Sequence, residues 1–149
     1  MSRPLKKRLT EKKIWNKLNL LQKELPGAHF TKIESSTING IPDVHCCYQS
    51  CSFWLELKAN QGKNLNVSKY QIAWHLKYKG AGGLSYILNW PLIHVPPKLY
   101  EIREPGVPVP ATGMPVPVII INKMLSGEPG ISSPGQLRAA LTENTGLTS

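Results

Sequence analysis

Two stretches decide the reading of this chain: Ile41-Pro-Asp-Val-His-Cys-Cys-Tyr48 and Cys51-Ser-Phe-Trp-Leu-Glu-Leu-Lys58, joined by Gln49-Ser50. Both are rich in β-branched, aromatic and other apolar residues, and a two-residue link between such runs predicts a β-hairpin. Pro42 has no backbone N–H, which a strand tolerates at its entry. Side chains alternate faces along a strand, so Leu55 and Leu57 point to one face and Glu56 and Lys58 to the other, roughly 7 Å apart. Twelve residues separate Asp43 from Glu56. If the two strands pair, it lies across from the end that carries Glu56 and Lys58. Two carboxylates and an ammonium would then meet at one end of a sheet.

Elements on either side extend the pattern. Thr10 can cap a helix whose apolar positions are Ile14, Leu18, Leu21 and Leu25, stopped by Pro26-Gly27. Trp15 and Leu20 flank that stripe. His29 to Ile33 reads as a short strand, and Ser35 to Gly40 as a loop ending in the turn signal Asn39-Gly40. After Lys58 comes a polar loop, residues 59–67, and then Ser68 as the cap of a helix from Lys69 to Lys79. Gly80 closes it, and Leu84 to Leu88 forms the next strand. The order is helix, three strands, helix, strand. That predicts a mixed central sheet flanked by helices, an α/β or α+β domain.

Charge and composition divide the chain. Of its 149 residues, the first 90 hold 14 basic and five acidic side chains, a net of +9, while residues 91–149 are neutral. Three prolines precede position 90 and ten follow it. The expected organisation is a basic arm at 1–9, a domain at 10–95 and a neutral Pro-rich tail at 96–149. Within the tail, Gly106 to Pro117 reads as an extended linker, Val116 to Leu125 as one more strand, and 134–142 as a short helix. No apolar run reaches the roughly 20 residues of a membrane span. No apolar segment follows the basic start, and the three cysteines crowd into positions 46–51, so an intracellular, reducing setting is expected. A basic domain of this kind points to a polyanionic partner, most simply nucleic acid.

The acidic residues narrow the chemistry. Asp43 is the one Asp of the chain, and only Glu11, Glu24, Glu34 and Glu56 accompany it in the basic part. Mg²⁺ takes one or two carboxylates together with water and substrate phosphate. A bound divalent ion polarises the phosphate and lowers the pKa of its water, and a lysine beside it can stabilise the charge developing on phosphorus. Gln71 falls one turn into the second helix. The competing reading is a Pro-Asp turn followed by a strand with an ordinary solvated Glu and Lys. His45, Cys46, Cys47 and Cys51 lack a CxxC pair, and adjacent strand residues face opposite ways, so they read as core and edge residues rather than a zinc site. Trp74 and His75 read as packing residues.

Gly40-Ile-Pro-Asp43, Glu56-Leu-Lys58, Ser68-Lys-Tyr-Gln71 and Ala81-Gly82-Gly83, in that order, resemble the PD-(D/E)XK nuclease superfamily. More narrowly, the chain is similar over residues 10–90 to small stand-alone virus-type replication-repair nuclease modules (VRR-NUC), common in phage genomes. The resemblance implies a restriction-endonuclease-like core and an endonuclease that uses Mg²⁺, for which Mn²⁺ can substitute. It implies Asp43 and Glu56 as metal ligands, the Leu57 carbonyl as a third, Lys58 as the base that positions water, and Gln71 in support. Glu11 best matches the family's first-helix Glu, with Glu34 its competitor. Lys63, Lys69, Lys6, Lys7 and Arg8 are the expected phosphate contacts. The implied substrate is branched DNA of the Holliday junction type, in phage or mobile-element replication, recombination or repair. A homodimer would cut two strands, with Val116–Leu125 as a paired or swapped strand. A non-catalytic DNA-binding module of the same fold and a nuclease acting on RNA are the alternatives.

Overall fold

In the computed structural model, which describes residues 7–127, nine elements follow one another along the chain. They are α1 (Glu11–Glu24), β1 (His29–Lys32), β2 (Val44–Tyr48), β3 (Cys51–Lys58), α2 (Lys69–Gly80), β4 (Ser85–Asn89), β5 (Lys98–Arg103), β6 (Val107–Pro110) and α3 (Val116–Ser126). The six strands form one sheet in sequence order. Every neighbouring pair is antiparallel except β3 and β4. A parallel pair needs a crossover, and α2 supplies it.

Local chemistry explains the elements. The Thr10 hydroxyl accepts the Lys13 N–H at 3.2 Å and starts α1, whose buried stripe is Ile14, Leu18 and Leu21. Gln49 and Ser50 both take positive φ, the backbone that a two-residue hairpin turn requires. Ser68 and Gln71 form a reciprocal capping box at the start of α2. The β2–β3 register sets Val44 opposite Leu55 and Cys46 opposite Phe53, all four facing the core.

The sheet divides two cores. On one face Val44, Cys46, Phe53, Leu55, Leu57 and Leu88 pack with Ile14 and Leu18 of α1 and with Val118, Ile120 and Ile121 of α3. On the other face a smaller cluster of Leu65, Ile87 and Ile102 meets Ile72 and Leu76 of α2. Layers of helix, sheet and helix result.

Three sequence expectations are corrected. Val116–Leu125 is not a strand but the body of α3. Its Ile-rich run favours strand locally, yet Pro117 is tolerated in a first helical turn, Gly127 closes the helix with φ 64°, and burial of Val118, Ile120 and Ile121 decides the matter. The Gly106–Pro117 linker is only partly a linker, because Val107–Pro110 pairs with β5 and the sheet runs well past residue 95. The arm at 1–9 is docked at its end: the Leu9 N–H donates to the Pro91 carbonyl at 2.8 Å, the Ile93 N–H to that of Lys7 at 2.8 Å, and Leu9 is buried. The expected helix at 134–142 and Lys6 lie outside the described residues. No helix among the described residues is long and apolar enough to cross a membrane.

Candidate active site

The ladder between β2 and β3 stops at Val44 and Leu55. Beyond it β2 gives way to the Gly40–Asp43 turn, and the backbone of Leu57 loses its strand partner. Asp43 takes that place, its Oδ2 accepting the Leu57 N–H at 2.8 Å. The N–H and C=O of one strand residue project to the same side, so the Leu57 carbonyl is directed toward Asp43 as well. Gly40 makes the turn possible. Its φ is +84°, and a Cβ there would overlap the Tyr70 carbonyl at the start of α2. The turn and the helix N-terminus thus close on each other over the end of β3.

Glu56 points into this corner and is 3% exposed. Its Oε2 accepts the Gln71 amide at 3.0 Å, while Oε1 is buried without a hydrogen-bond partner. The same Gln71 side chain accepts the Ser68 N–H at 2.9 Å. Ser-x-x-Gln therefore starts the helix and aims an amide at the carboxylate. Burial pushes the Glu56 pKa up, the neighbouring Asp43 adds to the rise, and Lys58 opposes it. Lys58 is held by the Asn66 carbonyl at 3.1 Å. The loop that supplies it is braced by Asn60, which donates to the Leu65 carbonyl at 2.6 Å.

Glu11, at the first turn of α1, is within electrostatic reach of the corner. Desolvation and then the Asp43 charge raise its pKa, while Lys58 and Lys32 lower it. Glu34 instead lines the cleft that opens onto Asp43 and Glu56, with a volume of about 770 Å³ and further walls from Lys32, Ile38, Tyr70 and Gln71. Among the described residues no three of His, Cys, Asp and Glu form a tight ligand group. Neither Glu11 nor Glu34 thus closes directly on the Asp43–Glu56 pair.

The donor set suits a hard divalent cation. Two neighbouring carboxylates, one with an unpartnered buried oxygen, and a backbone carbonyl directed to the same corner are the kind of oxygen ligands such an ion takes.

The other expected residues are spread out. Lys69 is exposed on α2 with its Nζ 5.3 Å from the centre of the Tyr70 ring, and Lys63 is exposed in the 59–67 loop. Lys7 and Arg8 are exposed in the segment docked to 91–93. His45 packs on Trp54 with ring centroids 4.8 Å apart. His75 is fully buried and bonds the Ser85 hydroxyl at 2.8 Å. Cys46 faces the core while Cys47 does not. Sequence reasoning missed Lys32, Ile38 and Tyr70 as cleft walls. Ile38 and Tyr70 are 53% and 51% exposed, and an apolar side chain in a polar loop or at a helix start was the available signal.

No family model matches the chain, and no curated protein does. Among solved structures, a VRR_NUC domain is similar at 17% identity and TM-score 0.44, over 52% of this chain and 81% of that one. Hjc, a Holliday junction resolvase from Archaeoglobus fulgidus, is similar at 14% identity and TM-score 0.50, over 68% and 88%. At 14% identity the likeness to Hjc is one of fold alone: among the described residues, three helices on a six-stranded mixed sheet, a restriction-endonuclease-like α+β arrangement.

Proposed function

We propose that this protein is a divalent-metal-dependent endonuclease that hydrolyses DNA phosphodiester bonds, selecting its substrate by structure and acting on branched DNA. The observation that carries the reading is Glu56, a buried carboxylate beside Asp43 with one oxygen left without a partner. Asp43, Glu56 and the Leu57 carbonyl would hold Mg²⁺ or Mn²⁺. Such an ion supplies Lewis acidity toward phosphate and a water of lowered pKa.

The chain's own residues do the rest. Gln71 fixes the Glu56 carboxylate from the helix side, and the Leu57 N–H fixes Asp43 from the strand side. Preset groups of this kind need no rearrangement as charge develops on phosphorus. Lys58, tethered by the Asn66 carbonyl, orients the attacking water and holds positive charge next to the two carboxylates. Glu11 adds negative charge behind Asp43. Lys32 on the cleft wall attracts the phosphate backbone, as Lys69 does from the start of α2. The fold shared with Hjc, described as a Holliday junction resolvase, favours branched DNA as the substrate.

A branched substrate offers two strands to one site per chain, so two copies would act together. Their contact does not use a strand from 116–125, because that segment is α3. Pairing through β6 is disfavoured too. The Ala111 N–H donates to the Leu99 carbonyl at 3.0 Å, which places Pro108 and Pro110 where outward N–H donors would be.

The test is incubation with a four-way junction, a flap, plain duplex, single-stranded DNA and RNA, in Mg²⁺, Mn²⁺ or EDTA. The expected result is cleavage of the branched DNA in metal alone, with Asp43→Ala and Lys58→Ala binding DNA without cutting it. Either variant cutting at the wild-type rate overturns the site. Sedimentation as a monomer on the junction overturns the pairing.

A further inference from the structure

A row of aromatic side chains runs from the carboxylate corner along the same face of the sheet. Alternation puts His45 on the face of Asp43, and Trp54 on the face of Glu56, each two residues away, roughly 7 Å along its strand. The register sets His45 opposite Trp54 and continues to Thr31 on β1. α2 covers the β4–β5 part of this face with Ile72, His75 and Leu76. The part over β1, β2 and the first half of β3 is left open: His29, Thr31 and Ser52 are exposed, and His45, Cys47 and Trp54 are half-buried.

Two rings from α2 border that open part. Trp74 meets Trp54 edge-on with centroids 5.4 Å apart, and Tyr78 stacks on Trp74 at 4.8 Å and 18°. Gly83 lies against the Tyr78 ring so closely that a Cβ would overlap it, which holds the ring in place. Trp54, Trp74 and Tyr78 belong to neither hydrophobic core, although each carries more apolar surface than most residues that do. The apolar packing of α2 on the sheet is carried by Ile72 and Leu76, while the Trp74 and Tyr78 rings touch Trp54 at the border of the open part. None of these positions is acidic, and the nearest carboxylates on the two strands are Asp43 and Glu56 themselves.

We infer that His45, Trp54, Trp74 and Tyr78 form a stacking platform for an unpaired nucleobase of the DNA strand whose backbone enters the carboxylate cleft. Every base has a π-face, so such a platform accepts any sequence, and stacking on an aromatic side chain strengthens binding by roughly 5- to 150-fold per base. It would favour a flap, gap or opened junction over continuous duplex, because only those present an unstacked base. The charge fits the same occupant: the strand's phosphates find Lys32 and Lys69 beside the cleft and meet no carboxylate along the row. The inference deepens the nuclease reading and rests on it for the identity of the strand. Stacking itself, however, needs no metal.

The experiment measures binding of the full chain to a flap in EDTA. The first unpaired nucleotides at the branch are replaced in turn by 2-aminopurine or by an abasic residue. We expect 2-aminopurine fluorescence to fall on binding and one abasic replacement to weaken wild-type binding about tenfold. Trp74→Leu should weaken flap binding by a similar factor with no further loss on the abasic flap, Trp74→Phe should largely restore it, and plain duplex should bind wild type and variants alike. Wild type binding every abasic flap as tightly as the intact one overturns the platform, and needs no variant to fold. Trp74→Leu weakening duplex as much as flap also overturns it. Base-dependent binding without cleavage in Mg²⁺ keeps the platform and removes the nuclease, whereas cleavage without base dependence does the reverse.

Discussion

Glu56 and Glu101 are both buried glutamates on neighbouring parts of one sheet, and their surroundings treat them in opposite ways. Glu101 on β5 is 9% exposed and fully served by the protein. Its Oε1 pairs with the Lys79 ammonium at 2.7 Å, and its Oε2 accepts the Thr112 N–H at 3.1 Å with Arg103 3.6 Å away. Burial alone would raise its pKa, but the Lys79 and Thr112 hydrogen bonds outweigh it and the pKa is lowered. Glu56 is more deeply buried, has one amide for a partner and a second carboxylate for a neighbour, and its pKa is raised. A carboxylate with its cations built in serves the fold. One that keeps a buried oxygen unbonded beside a second carboxylate is, on the proposed function, the place for a divalent ion.

The largest expected effect is at Glu56. Glu56→Gln keeps the shape and puts a neutral amide where burial and Asp43 already disfavour the charged carboxylate, so the metal-free protein should melt no lower than wild type. Cleavage should fall at least about a thousandfold, about 4 kcal/mol in the barrier. A thermal melt and a single-turnover assay read the two together. A large loss of stability would mean that Glu56, like Glu101, is structural.

Next comes acid. Lys79, the partner of Glu101, lies near His75, whose pKa is lowered from 6.5 to about 4, by burial first and by the Lys79 charge second. The folded state keeps this ring neutral while the unfolded chain takes up a proton below about pH 6.5. His75 therefore costs nothing above that pH, and stability falls as pH drops from 6.5 toward 4, by about 3 kcal/mol in all. The lowered pKa of Glu101 acts in the same direction, its stabilisation fading as its carboxylate is protonated. Urea melts from pH 7 to 4 should show the loss, and His75→Gln should flatten it. An unchanged acid limb in that variant would remove His75 from the account.

The smallest effect mirrors the first. Glu101→Gln should cost about 2 kcal/mol of stability, because it leaves Lys79 half-buried without its counter-charge. Cleavage per folded molecule should stay at the wild-type rate. If activity falls with Glu101→Gln as it does with Glu56→Gln, the two carboxylates do not divide as proposed.

Most of the first core was legible residue by residue. The stripe of Ile14, Leu18 and Leu21, the Thr10 cap, the Gln49-Ser50 turn and the strand Cys51–Lys58 all stand where their local chemistry put them. Strand alternation also put Asp43 across from Glu56, and the Ser-x-x-Gln spacing put Gln71 one turn into α2; the structure brings the three side chains to one corner. Lys79 read only as the last residue of a helix, and Glu101 only as part of a neutral tail. They are 22 residues apart, and no local rule pairs them.

Alternation, capping and turn preference act over a few residues, so the amino-acid order alone determined the elements as far as β4 and the faces on which their polar side chains stand. Tertiary structure decided what those rules leave open. Val116–Ser126 became a helix because its apolar side chains meet α1 and the sheet, and Val107–Pro110 became a strand because β5 offered an edge. Glu56 came to face Asp43 and Gln71 rather than a paired ammonium because the Gly40–Asp43 turn and the start of α2 closed over the end of β3. Each of these outcomes depends on burial against residues far away in sequence, where the energy of packing outweighs local preference.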